Sequence, residues 1–243
     1  MSTTNGETVH YTAGDTELVG WAETGSGASP RPGILVVHEW WGLNDYIRGR
    51  AHQLAELGYE ALAVDMYGGG RIAQDPEGAS ALMSSVLGDV PALEQRFRAA
   101  LDTLRARPGV DPSKIAAIGY CFGGAVVLHA AKIGLPLAGV VSFHGALSSF
   151  HKPAPGSVHA KVLVCHGADD ALVPESDIET FKKEMDEAGA SYRFQAYPGA
   201  KHGFTNPEAT AKGARYGMPV AYDSDADARS WTDMRTFFEE IFA

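Results

Sequence analysis

Short apolar runs rich in β-branched residues alternate along this chain with stretches whose apolar residues recur at helical spacing. That alternation dictates a mostly parallel sheet with helices on both faces, because parallel neighbours need a crossover and a helix satisfies its own backbone while making one. Thr8 to Tyr11 and Glu17 to Ala22 read as an antiparallel pair about the Gly14-Asp15 turn, at one sheet edge. Gly33 to His38 is a fully buried strand, Tyr46 to Leu57 a helix ended by Gly58, and Tyr59 to Asp65 the next strand. After Gly68-Gly69-Gly70 comes a helix from about Pro91 to Arg107, with Leu93, Phe97, Leu101 and Leu104 on one face. A strand at Lys114 to Ile118 precedes a helix at Phe122 to Lys132. Strands at Leu137 to Phe143, Lys161 to Cys165 and Tyr192 to Tyr197 then accompany helices at Pro174 to Ala188 and Arg229 to Phe242. No repeat or compositional shift divides residues 1–243, so one domain is expected.

With 45% hydrophobic and 21% charged residues, the chain has enough apolar matter for a core that needs neither disulfide nor metal. The formal net charge of -10 argues against a phosphate-tracking surface, so nucleic acid is not an expected partner. Met1 to Glu7 has neither a basic segment nor an apolar stretch, and no later window has the length and apolarity of a membrane span. A cytoplasmic location away from membranes is expected, as a monomer or at most a homodimer. The two cysteines, Cys121 and Cys165, are read there as free thiols.

The chemistry concentrates in Gly119-Tyr120-Cys121-Phe122-Gly123-Gly124, which joins an apolar strand directly to a helix. A nucleophile on so short a turn takes a strained backbone conformation, and the flanking glycines keep clear of strand and helix. Cys121 is thereby held at a helix N-terminus, where partial positive charge favours thiolate and main-chain N–H groups can hold an oxyanion. The N–H of Phe122 is the first such donor. His166-Gly167-Ala168-Asp169-Asp170 follows the strand that ends at Cys165, and an acid there can fix an imidazole tautomer or cap the next helix. Asp170 rather than Asp169 is the expected acid, from the three-residue step to Val173-Pro174. Of nine histidines, His202 alone lies in a glycine-flanked loop downstream of both elements. Nucleophile, acid, histidine is the chain order of the α/β-hydrolase fold. No long insertion between Phe143 and Lys161 supplies a large lid domain, which disfavours lipase-like substrates.

His38-Glu39-Trp40-Trp41-Gly42-Leu43-Asn44 ends the first buried strand. In this fold that loop supplies the second oxyanion donor, here the N–H of Trp40, and brings Glu39 near the thiol, whose proton it could take or hold. Cys165, inside an apolar strand, reads as packing. No histidine or acid cluster has metal-ligand spacing, and Gly68-Gly69-Gly70 lacks the lysine of a phosphate loop, so neither metal nor cofactor is expected.

Together these segments resemble the dienelactone hydrolase (carboxymethylenebutenolidase) family, in which cysteine replaces serine at the elbow. The likeness runs from about Thr8 onward and rests on the His38 to Asn44 loop, the Cys121 elbow and His202-Gly203-Phe204. It implies a Cys121–His202–Asp170 triad with Glu39 acting on the resting thiol, and an acyl-enzyme formed from a small ester or lactone. Trp41, Phe204, Arg71 and His144 complete the implied substrate contacts. One departure touches the substrate: relatives that bind a dienelactone carboxylate use arginines, one shortly after the histidine, where this chain has Thr205-Asn206-Pro207. Alternatives are a broader carboxylesterase or thioesterase on the same fold, or a non-enzymatic small-molecule binding protein.

Overall fold

Gly14, at φ +56, turns β1 (Glu7–Ala13) back on β2 (Thr16–Glu23), with Glu7 opposite Ala22 and Ala13 opposite Thr16. The computed structural model describes residues 6–148 and 151–243 and packs as two compact units, Met1–Ala117 and Ile118–Ala243. In the first unit, β2 runs antiparallel to β4 (Glu60–Val64), which lies parallel to β3 (Arg31–Val37). Helix α1 (Asp45–Glu56) joins β3 to β4, and α2 (Pro76–Leu87) and α3 (Val90–Arg105) follow β4. Every residue of β4 is buried, Glu60 included, and the apolar run Ala61 to Val64 is what burial on both faces requires of a central strand.

Asp65, at the end of β4, explains the glycine run that follows. Its buried carboxylate accepts main-chain N–H bonds from Val19, Tyr67, Gly68 and Gly70 at 2.8 to 3.0 Å. Gly68, Gly69 and Gly70 all have positive φ. The loop therefore wraps an internal anion in the way that a phosphate loop wraps an external one.

Strand β5 (Val110–Tyr120) runs from the first unit into the second, and the eight strands follow the order β1-β2-β4-β3-β5-β6-β7-β8. In the second unit β6 (Gly139–Phe143), β7 (Lys161–Gly167) and β8 (Tyr192–Tyr197) are parallel, with Phe143 opposite Cys165 and Gly167 opposite Tyr197. Helices α4 (Phe122–Lys132), α5 (Glu175–Glu187), α6 (Ala209–Tyr216) and α7 (Ser224–Phe242) complete it. Helix α4 is buried on all sides, Lys132 included; its ammonium lies 2.8 Å from Glu184 and 5.2 Å from the Phe181 ring centre.

The expected strands and helices are present, with ends shifted by a few residues. Two helices, α2 and α6, go beyond the expectation. Helix α2 buries only Ala79 and Val86, so it leaves no apolar periodicity, although Asp75 caps it and proline opens it. Helix α6 contains Gly213, where a Cβ would lie 2.5 Å from the Val220 carbonyl oxygen; close packing, not helix propensity, selects that residue. Helix α7 starts at Ser224, earlier than its apolar pattern indicates, because Asp223 accepts from the N–H groups of Asp225 and Ala226. Among the described residues no helix is long and apolar enough to cross a membrane.

Candidate active site

Between the end of β5 at Tyr120 and the start of α4 at Phe122, Cys121 alone makes the turn. Its φ is +52, in a region that costs a residue bearing a Cβ about 1–3 kcal/mol. The turn closes this tightly because Gly119 has no side chain: a Cβ there would lie 2.0 Å from the Gly123 carbonyl oxygen. The Cys121 N–H donates to Phe143 O at 3.0 Å, fixing the turn to β6. Its thiol makes no capping bond to α4 and is partly exposed. Cys165 is the opposite case: wholly buried, with burial pushing its thiol up to about 12 even though the Tyr197 O–H donates to it. Of the two, Cys121 has the surroundings of a nucleophile.

Asp170 lies in the turn after β7. Its Oδ1 accepts the Leu172 N–H at 2.9 Å, which leaves Oδ2 aimed at His202 Nδ1, 2.8 Å away. Asp169, one residue earlier, is exposed. His202 is held in the loop after β8 by a bridge to Val220 and by the Ala221 N–H, which donates to its carbonyl at 3.1 Å. The ring also hydrogen-bonds Cys121. Burial opposes its protonation, but the Cys121 and Asp170 charges and hydrogen bonds prevail and raise the imidazole to about 10. That balance favours the protonated imidazole, with Asp170 holding the ring by Nδ1.

The sequence profile of the dienelactone hydrolase family matches residues 20–242. The chain belongs to the dienelactone hydrolase family. A solved dienelactone hydrolase-like promiscuous phosphotriesterase from metagenomic libraries is 38% identical, with a TM-score of 0.89 and 99% of each chain covered. The solved structure named m3DLH is 41% identical, with a TM-score of 0.92 and 99% of each chain covered. A proposed carboxymethylenebutenolidase of Yersinia pestis is 29% identical, over 82% of this chain and 78% of its own. The strand order is that of the α/β-hydrolase fold these dienelactone hydrolase relatives share.

The residues expected to touch substrate are placed unequally in this dienelactone hydrolase family member. His144 and Phe204 are wholly buried, so neither offers substrate an exposed surface; they pack with His202, the His144 ring centre 5.2 Å from each. Asn206, in the Thr205-Asn206-Pro207 stretch after the histidine, is also buried and turned into its own loop, its Oδ1 accepting the Glu208 N–H at 2.9 Å. In the first unit, Arg71 donates to the carbonyls of Gly68 and Tyr67. Trp41 is buried with its ring centre 5.0 Å from that of Trp40. Glu39 is buried at the end of β3, its carbonyl accepting the Gly42 N–H at 3.2 Å.

Sequence reasoning gave no part to His38. Its Nδ1 lies 2.5 Å from Glu39 O and its Nε2 accepts the Met66 N–H at 3.2 Å. Burial pushes the ring down to about 4, so it stays neutral and pins the peptide between Glu39 and Trp40. Only its place at a strand end hinted at such a role. Among the described residues, no group of three or more His, Cys, Asp or Glu could hold a metal ion.

Proposed function

We propose that this hydrolase cleaves small esters or lactones through a Cys121 thioester intermediate. The observation that carries the reading is the contact of the strained, uncapped Cys121 with His202, itself held by Asp170 at 2.8 Å. The thiolate attacks the carbonyl carbon, forming the C–S bond, and the Phe122 N–H at the start of α4 holds the oxyanion. The C–O bond to the leaving group then breaks, and the His202 imidazolium supplies the proton. Neutral His202 next takes a proton from water, whose oxygen attacks the thioester, and the departing thiolate restores the pair.

Thr205-Asn206-Pro207 after His202 and the inward Asn206 favour substrates without a carboxylate. The phosphotriesterase relative supports a second activity, in which the same thiolate attacks the phosphorus of a neutral aryl phosphotriester. The P–S bond forms as the P–O bond to the departing aryloxide breaks, and water then cleaves the P–S bond to release the phosphodiester and the thiolate. Iodoacetamide labelling, followed by assays on p-nitrophenyl acetate and on lactones with and without a carboxylate, tests the reading. Loss of turnover in step with Cys121 labelling and a higher kcat/KM for uncharged lactones are the expected results. Undiminished turnover by the labelled protein refutes it, and an unreactive Cys121 with no turnover favours a binding protein instead. Cys121→Ala and His202→Ala should each lower kcat about 10³-fold or more, and Asp170→Asn somewhat less. The part given to Glu39 rests on the family resemblance; Glu39→Gln should lower kcat/KM for p-nitrophenyl acetate, and an unchanged value removes that assignment.

A further inference from the structure

Besides Cys121, the one non-glycine residue with positive φ among the described residues is His144, at φ +40. It follows the last residue of β6, as Cys121 follows the last of β5, and main-chain hydrogen bonds tie the end of β5 to β6 and the end of β6 to β7. The Cys121 N–H donates to Phe143 O at 3.0 Å, and the His144 N–H to Cys165 O at 2.8 Å. A glycine at 144 would relieve the backbone at no steric cost. The strain therefore accompanies the side chain, and that side chain is completely buried.

We propose that His144 is a positioning residue for the catalytic imidazole, acting together with Thr205. The His202 ring is held in its own plane by Asp170 at Nδ1 and by the Cys121 sulfur. In-plane hydrogen bonds leave a ring free to rock about the line joining its partners, and packing must stop that motion. The His144 ring meets His202 at 63° and Phe204 at 78°, each with centres 5.2 Å apart. The His144 ring is fixed in turn by Thr205 Oγ1, 2.7 Å from its Nε2. Thr205 is itself completely buried, three residues after His202. His144, Thr205 and His202 thus form a closed circuit, from the ring to its support and back along the loop to the ring.

This inference rests on the triad reading, so its test pairs turnover with a readout that needs none. Thr205→Val keeps the shape and removes the hydroxyl. Its kcat on p-nitrophenyl acetate should fall about 10-fold with KM within about twofold, since misaligning a base harms the reacting geometry more than binding. Iodoacetamide should also alkylate Cys121 more slowly at neutral pH. Thr205→Ser, which restores the hydroxyl, should recover most of both rates, and His144→Phe, which keeps a ring without the nitrogen, should match Thr205→Val. Wild-type kcat and alkylation in Thr205→Val, or equal impairment in Thr205→Ser, overturns the proposal. If no ester is turned over even by the wild type, the functional reading fails, while the alkylation rates still decide whether His144 and Thr205 align His202.

Discussion

At the scale of single residues, the site is governed by what burial permits. His202 is buried and yet titrates upward, to about 10, because Cys121 and Asp170 lie against it. Removing the sulfur in Cys121→Ala should therefore bring the His202 ring titration down toward its ordinary value, followed by NMR of the imidazole signals; an unmoved midpoint would mean that no charge pair exists. Ser142 shows burial without compensation. Its hydroxyl is buried with no hydrogen-bond partner among the described residues, pressed against Gly124 and Gly145. Burying an unsatisfied hydroxyl costs about 1–3 kcal/mol, so Ser142→Ala should unfold at an equal or higher temperature by calorimetry. Cys121, Asp170 and His202 were legible in the sequence because each sits at a strand end in glycine-rich surroundings. The link from His144 to Thr205 was not, since it joins residues 61 apart through tertiary packing alone.

At the scale of elements, the turn from β5 to α4 is the most constrained junction. A methyl group at 119 would meet the Gly123 carbonyl oxygen at 2.0 Å, a Cβ fixed by its own backbone against main chain, where no rotamer change can help. Gly119→Ala should cost about 3 kcal/mol or more, read as a fall in the urea midpoint together with lost activity. A variant of wild-type stability would mean that the turn can open. Strands were legible wherever burial on both faces demands nearly continuous apolar runs, as in β4 and β6. Helices α3 and α4 were legible from apolar spacing and glycine, whereas α2 and α6 bury too little to leave a pattern.

For the molecule as a whole, the alternation of strand and helix foretold the parallel sheet, and the turn at Gly14 foretold its antiparallel edge. Global stability should also carry the mark of one ring. The folded-state pKa of His202 lies near 10, above its ordinary 6.5. Its protonation thus stabilises the fold fully below pH 6.5, and the contribution is lost as pH rises through about 10. The stability difference between wild type and His202→Gln in urea titrations should shrink across that window; a difference independent of pH would contradict it. One consequence reaches beyond stability. Because the bend at Cys121 is closed by the backbones of 119 and 123, with no bond from the thiol to its own helix, the socket grips nothing of the atom it displays. The collar is therefore more tightly specified than its occupant: the glycine beneath position 121 has no substitute, whereas nothing in the turn itself selects the side chain above it.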